Sequence, residues 1–190
     1  MLSNLGWLLA GALIALGLYF GREAFWSFRA QSLEDYADAA ATTTVADMLE
    51  GRFAASGVIY DYTGRVVSRF SADIEGAFDG ATGVLDETFV YGGGATDRRQ
   101  WRIRTDADGR RFTATADDVE GDAKGEIRGD ALRMTYRLRL PERAGGHVLD
   151  VVDWLYRAPD GAIVNRSEMR KFGFKAAELI AVFRPVKDPA

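Results

Sequence analysis

The sequence predicts an all-β protein in which an antiparallel up-and-down barrel follows an N-terminal transmembrane helix. From Arg52 onward, apolar and polar residues alternate with a period of two, which is typical of half-buried antiparallel strands. Turn signals such as YTGR, YGGGATD and APDG separate about nine or ten such runs at roughly ten-residue spacing. No long helical pattern interrupts them, which excludes a parallel βαβ fold, and closure into a barrel removes exposed strand edges.

Residues 1–21 carry no charged side chain and are predicted to form the transmembrane anchor. A helix from Leu2 to Phe20 spans about 28 Å, close to the roughly 30 Å of a bilayer core. Trp7 and Tyr19 lie near its two ends, where aromatic residues are enriched in membrane spans. A cleaved signal peptide is the alternative, but the segment lacks both a basic start and a small-x-small cleavage site.

Residues 22–51 are predicted to connect this anchor to a barrel that covers residues 52–190. Within the connector, TTTVADMLEG indicates a short helix. Thr44 can cap that helix, Asp47 follows three residues later as in a capping box, and Gly51 can end it.

The alternation also predicts what lies inside the barrel. In LRMTYRLRL the apolar residues share one face and the arginines share the other, and in DVEGDAKGEI the charged residues from Asp118 to Glu126 form a row that is expected to lie in water. The residues on the opposite face of that strand have small side chains. Small inward residues leave room, so they predict a ligand cavity, although Phe and Tyr from facing strands could instead fill the space. The small inward set comprises Ala72, Gly76, Ala114, Ala116, Gly121, Ala123 and Gly125.

Composition excludes several classes of function. The chain has no cysteine and one histidine, His147, so disulfides, a cysteine nucleophile and thiolate metal sites are excluded, and zinc is disfavoured. The net charge is −4 and the basic residues are scattered among the acidic ones, which argues against a nucleic-acid partner. We therefore expect no metal and no cofactor.

The segment DWLYRAPDGAIVNRSEMRKFG is predicted to be a hairpin. A four-residue loop would place Asp153 opposite Arg166 as an ion pair, whereas a three-residue loop would place Trp154 opposite Arg166. Both registers can be a structural tie, and both leave an aromatic ring and an amide that can reach a cavity mouth. The residues predicted to bind a ligand at the lining or rim are Tyr91, Trp101, Trp154, Tyr156, Asn165 and Arg166.

Two neighbouring acids in GVLDETFVYGGG are candidates for acid–base chemistry. Asp86 and Glu87 are adjacent on a predicted strand, so their side chains point to opposite faces and at most one lies inside. A buried carboxylate needs a cationic partner or a raised pKa. No residue is assigned a catalytic role by this pattern alone.

Four motifs occur in the same order over about residues 48–185: DIEGAFDGATGVLDETFVY, R-x-W, ADDVEGDAKGE and DWLY…NRSEMRKFG. Together they closely resemble the domain-of-unknown-function 3833 family of proteobacteria. The resemblance implies a lipocalin-like barrel and supplies no reaction. Many members look like lipoproteins with a cysteine after the signal, which this chain lacks. Family genes often stand beside fatty-acid-modifying methyltransferases, which implies lipid chemistry.

The two signals for membrane orientation disagree. Arg22 and Arg29 follow the apolar span, and the positive-inside rule would keep the body on the cytoplasmic face. The resemblance to lipoproteins implies a body outside the inner membrane. We expect an inner-membrane protein with a periplasmic body, and the cytoplasmic face is the alternative.

The predicted function is that of a membrane-anchored barrel that binds or carries a small hydrophobic ligand, with a lipid or fatty acyl group as the expected class. A lipid-modifying enzyme that uses a buried Asp86 or Glu87 is one alternative. A non-catalytic interaction module of the cell envelope, with a filled core, is another.

Overall fold

The computed structural model describes residues 4–37 and 43–186, and these fall into two compact units that divide between Asp35 and Tyr36. The second unit is a closed antiparallel barrel of ten strands. The strands are β1 (Gly51–Asp61), β2 (Val66–Asp79), β3 (Thr82–Tyr91), β4 (Thr96–Thr105), β5 (Arg111–Thr115), β6 (Ala123–Arg128), β7 (Ala131–Arg139), β8 (Val148–Arg157), β9 (Ile163–Lys171) and β10 (Phe174–Pro185). The helices are α1 (Asn4–Phe25), α2 (Val45–Leu49) and the 3-10 turns Phe28–Ala30, Leu33–Tyr36 and Glu142–Ala144.

Every strand pairs with its neighbours in the chain, and β1 closes the barrel against β10. The closing register runs from Phe53 opposite Pro185 to Asp61 opposite Ala177. Closure pairs the backbone groups that an open sheet would leave along its two edges. The predicted all-β, up-and-down barrel is confirmed.

In the first unit, α1 runs from Asn4 through Arg22 and Glu23 to Phe25. Among the described residues, no helix is both long enough and apolar enough to cross a membrane. The predicted transmembrane helix over residues 1–21 is therefore not supported. Its first three residues lie outside the described part of the chain, and α1 continues beyond it into charged sequence.

The helix α2 covers one end of the barrel. The predicted capping box is confirmed: the Asp47 N–H donates to Thr44 Oγ1 at 3.1 Å, and the Thr44 N–H donates to Asp47 Oδ2 at 2.9 Å. The Leu49 carbonyl lies against Gly76, where a Cβ atom would come within 1.9 Å of its oxygen. Because glycine alone allows this approach, Gly76 serves to seat α2 rather than to enlarge the cavity.

The predicted strand faces are largely observed. On β7, Leu132, Tyr136 and Leu138 are buried, while Arg137 and Arg139 are exposed. Some small inward residues are covered by rings from the neighbouring strand. A Cβ at Gly125 would lie 2.2 Å from the Phe112 ring. This part of the predicted space is therefore filled by aromatic side chains, as in the alternative interpretation.

The acidic segment before β6 differs from the prediction. The strand begins at Ala123, and residues 116–122 form a loop in which the Val119 N–H donates to the Ala116 carbonyl at 3.1 Å. This turn interrupts the alternation that would have placed Asp118 in a solvated row. Asp118 instead lies at the cavity wall.

Candidate functional site

A cavity of about 580 Å³ occupies the barrel interior. Its lining extends from Leu49 of α2 at one end to Ala95 and Pro141 in the loops at the other end. Most lining side chains are apolar or aromatic, and Tyr91, Phe70 and further rings belong to the half away from α2. This volume and lining are those of small-molecule sites, which usually enclose roughly 300–1,000 Å³.

A cluster of ionisable side chains interrupts the apolar wall. Glu87 on β3 and Arg99 on β4 are directly opposite each other in the sheet, and both point inward. Arg99 Nη2 donates to Asp118 Oδ2 at 2.7 Å, and Arg99 Nε donates to the same oxygen at 2.9 Å. Arg99 Nη1 lies 3.8 Å from Glu87 Oε2, to which Trp101 Nε1 donates at 3.3 Å. Arg99 thus forms hydrogen bonds with the Asp118 carboxylate and a longer ion pair with Glu87.

Glu87 is 9% exposed, and its environment favours the protonated form. Burial raises the pKa of Glu87 to about 7, and the charge of Asp153 acts in the same direction. The charge of Arg99 and the hydrogen bond from Trp101 lower this pKa and offset only part of the effect of burial. Glu87 can therefore gain or lose a proton near neutral pH, as a general acid or base must.

A second polar group lies across the cavity. Asp153 on β8 is 8% exposed and accepts a hydrogen bond at Oδ2 from the Tyr136 hydroxyl on β7, at 3.1 Å. Its Oδ1 atom has no hydrogen-bond partner among residues 4–37 and 43–186. Burial raises the pKa of Asp153, and this is opposed by the Ser167 hydroxyl on the facing residue of β9, by the hydrogen bond from Tyr136 and by the charge of Arg99. Burial also raises the pKa of Tyr136 well above 10.0, so its hydroxyl stays protonated and available as a donor.

The amide and hydroxyl beside Asp153 are already engaged. Asn165 Nδ2 donates to the Trp154 carbonyl at 3.2 Å, and Ser167 Oγ donates to Asn165 Oδ1 at 3.3 Å. The groups that face the cavity here are therefore mainly acceptors. Within the described part of the chain, no group of three or more His, Asp or Glu side chains could hold a metal ion.

The predicted ligand residues divide between the two faces of the barrel. Tyr91, Trp101 and Asn165 line the cavity, and so does Glu87 of the acid pair. Trp154, Tyr156, Arg166 and Asp86 do not line it.

The outward residues of this set have partners on the outer face. Trp154 is 1% exposed because it stacks on Tyr156, with ring centroids 5.9 Å apart, and meets the Tyr36 ring at 5.5 Å. Arg166 Nε donates to Glu178 Oε1 at 2.7 Å. Gln100 Nε2 donates to Asp86 Oδ1 at 2.9 Å.

The hairpin adopts the second of the two predicted registers. Trp154 is opposite Arg166, and Asp153 is opposite Ser167. Asp153 therefore forms no cross-strand ion pair with Arg166 and points into the barrel with Leu155. The hairpin supplies cavity groups from one face and a structural aromatic stack from the other.

Sequence reasoning missed Arg99, Asp118 and Tyr136 as parts of the site. A signal for Arg99 was present: Trp101 and Ile103 are apolar positions of one face, and counting back by two residues places Arg99 on that same face. Asp118 could not be found in this way because it lies in the loop after β5.

A closed antiparallel barrel of ten consecutive strands with α2 at one end has the lipocalin-like fold. The chain belongs to the family described as "Protein of unknown function (DUF3833)", whose model matches residues 23–185. This confirms the family resemblance found in the motifs. No curated protein sequence matches the chain.

Two solved structures share the fold at low sequence identity. The S-type phycobiliprotein lyase CPES from Guillardia theta has a TM-score of 0.55 and 7% identity, and the match covers 84% of this chain and 95% of that protein. Rv2717c from M. tuberculosis has a TM-score of 0.55 and 15% identity, and the match covers 79% of this chain and 100% of that protein. At these identities the likeness shows the fold alone.

Proposed function

We propose that this barrel binds and carries a small, largely apolar molecule, with a lipid or fatty acyl group as the ligand class. The observation that carries the proposal is the cavity of about 580 Å³, whose walls are mostly apolar and which is covered at one end by α2. Burial of an apolar ligand there contributes about 25 cal/mol for each Å² of surface removed from water. The interaction-module hypothesis requires a filled core, and a cavity of this volume supports ligand binding instead.

The aromatic side chains of β2 and β3 provide a further contact surface for such a ligand. Phe89 and Tyr91 stack with ring centroids 6.3 Å apart, and Phe70 meets Phe89 at 5.6 Å. These three residues line the half of the cavity away from α2. A ligand that enters from that end passes the aromatic surface before it reaches Glu87 and Asp153.

The proposal is tested by native mass spectrometry of the full chain, purified from a bacterial host. We expect a bound mass of a few hundred daltons that disappears after extraction with organic solvent. Leu179→Trp, on the cavity wall, should remove this mass, because the larger ring occupies the ligand's space. Ile180→Trp is the matched control, because the next residue of β10 points outward. A folded Leu179→Trp variant that keeps the full ligand load would overturn the proposal.

A second candidate function is acid–base catalysis on a bound lipid. The observation that favours it is the buried Glu87 carboxyl, whose pKa is raised to about 7 mainly by burial. One protein with this fold, the phycobiliprotein lyase from Guillardia theta, is named as an enzyme, so the fold is compatible with catalysis. The two candidates are separated by Glu87→Gln. If Glu87 is the acid–base group, the variant retains the ligand but no longer converts it, as followed by mass spectrometry of the extracted lipid over time.

We also propose that the body lies on the periplasmic side of the inner membrane. The support is the family's resemblance to lipoproteins, and the basic residues Arg22 and Arg29 favour the opposite side. Protease treatment of spheroplasts from expressing cells tests this. Digestion of the barrel only after the cells are lysed would establish the cytoplasmic alternative.

A further inference from the structure

The interior of the barrel presents an unsatisfied acceptor to whatever fills the cavity. Asp153 Oδ2 accepts from Tyr136, and Asp153 Oδ1 has no partner among the described residues although the side chain is more than nine-tenths buried. Buried polar atoms in native structures are nearly always hydrogen-bonded, so an unsatisfied one requires an explanation. Because Asp153 belongs to the cavity wall, a group inside the cavity can reach Oδ1.

The neighbouring residues do not offer a free donor for an anionic ligand. Arg99 already donates to Asp118 through Nε and Nη2, and its Nη1 faces Glu87. The amide of Asn165 donates to the Trp154 carbonyl, and Ser167 donates to Asn165. Asn165 Nδ2, Ser167 Oγ and two of the three Arg99 nitrogens therefore already have acceptors. The third, Arg99 Nη1, is held by charge beside Glu87 Oε2, 3.8 Å away.

The net charge of the ionisable groups in the cavity also disfavours an anionic ligand. The carboxyl groups of Glu87, Asp118 and Asp153 and the guanidinium of Arg99 act on one another through their charges. When fully ionised, these groups carry one positive and three negative charges, a sum of −2. Even with one carboxyl protonated, the sum is negative. A carboxylate or phosphate brought into this low-dielectric interior would be repelled, whereas a neutral donor or a cation would be favoured.

We propose that the cavity selects an amphiphile whose inner end carries a hydrogen-bond donor, a hydroxyl or an ammonium group, which binds Asp153 Oδ1. The apolar part of the molecule fills the rest of the cavity. This inference rests on the proposed ligand-binding function and narrows it, because it excludes a free fatty acid bound with its carboxylate at the inner end. The feature shared by the accepted ligands is the donor, and their charge is neutral or positive.

The test compares three probes with the same twelve-carbon chain: dodecylamine, dodecanol and dodecanoate. Each displaces the neutral fluorescent probe N-phenyl-1-naphthylamine from the full chain at pH 7.5, below its own aggregation threshold. We expect dodecanol and dodecylamine to bind at least about ten-fold more tightly than dodecanoate. Dodecanol is uncharged but can still donate a hydrogen bond. Tight binding of dodecanol would therefore show that hydrogen-bond donation, and not only the attraction of a cation to an acidic protein, determines the preference.

Asp153→Asn then tests the assigned atom. This variant removes the negative charge and should reduce the preference for dodecylamine over dodecanoate by about ten-fold or more. Asp150→Asn is the matched control on the same strand, because Asp150 is exposed on the outer face. The control should keep the preference of the unmodified protein.

The outcomes separate this inference from the function on which it rests. Equal binding of the three probes, or tighter binding of dodecanoate, overturns the inference and leaves ligand binding intact. An unchanged preference in Asp153→Asn also overturns it. Failure of the neutral fluorescent probe to enter the barrel at all overturns the proposed function and, with it, the inference. The ranking in the unmodified protein decides the matter even if the variant does not fold.

Discussion

Replacing Glu87 by Gln should change how the stability of the barrel depends on pH. The pKa of Glu87 is raised from 4.5 to about 7 in the folded protein, chiefly by burial. Between these two values the folded state holds a proton that the unfolded state has released, so the free energy of unfolding falls as pH rises. A pKa difference of about 2.5 corresponds to about 3 kcal/mol of stability, which is present in full below pH 4.5 and has been lost above about pH 7.

Gln is nearly isosteric with the protonated acid and can still accept from Trp101 through its side-chain carbonyl oxygen. Glu87→Gln should therefore exceed the free energy of unfolding of the unmodified protein by less than about 1 kcal/mol at pH 5 and by about 3 kcal/mol at pH 8. Urea titrations followed by tryptophan fluorescence at pH 5, 6, 7 and 8 measure this difference. The raised pKa of Asp153 gives a residual slope of the same sign in both proteins, so the comparison isolates Glu87.

Asp86→Asn is the matched control, because Asp86 lies on the same strand but on the outer face. It should leave the pH dependence of stability unchanged. If Glu87→Gln shows the same slope between pH 5 and 8 as the unmodified protein, Glu87 does not carry the proton and the electrostatic argument for the cluster fails.

Three further substitutions test the architecture around the cavity. Gly76→Ala places a Cβ 1.9 Å from the Leu49 carbonyl oxygen, so α2 should be displaced, the free energy of unfolding should fall by about 1–3 kcal/mol, and a bound apolar probe should leave faster in stopped-flow fluorescence. An unchanged dissociation rate would show that α2 does not retain the ligand. Thr44→Ala removes the cap of α2 and should lower stability by about 1 kcal/mol in a urea titration; no measurable loss would mean that packing alone holds the helix. Trp154→Ala should lower stability by about 3–5 kcal/mol, yet change probe affinity by less than about two-fold, because Trp154 stacks on the outer face. A large loss of affinity in the folded variant would return Trp154 to the binding site.

The barrel could be predicted from sequence because its strands obey the two-residue period almost without interruption. On β7 the apolar residues Leu132, Tyr136 and Leu138 alternate with arginines, and each of the strands β1–β4 and β6–β8 is followed by a turn that the sequence reveals. Consecutive antiparallel strands then have one simple closed arrangement. The capping box of α2 could also be predicted, because it depends only on Thr44 and Asp47, which are three residues apart in the sequence.

The site was harder to predict because it depends on the register between strands and on loops. Both faces of VLDVVDWLY are partly apolar, so alternation could not show whether Asp153 or Trp154 faces inward. The stack of Trp154 on Tyr36 and Tyr156 explains the second apolar face, and Tyr36 lies far away in the sequence. Asp118 reaches the cavity from a turn that the alternating pattern concealed.

The buried ionisable groups are also the main reason to regard the interior as a functional site rather than a poorly filled core. Glu87 and Asp153 occupy inward positions of strands whose neighbouring inward residues, such as Leu85 and Leu155, are apolar. Apolar residues of similar volume at such positions often leave stability unchanged or increase it, because buried charges lose their hydration. If the barrel needed only to be stable, Leu or Met would serve better than an acid with an unsatisfied oxygen. An occupant that supplies the missing donor accounts for these carboxyl groups, and Glu87→Gln and Asp153→Asn test their part in the pH dependence of stability and in the choice of ligand.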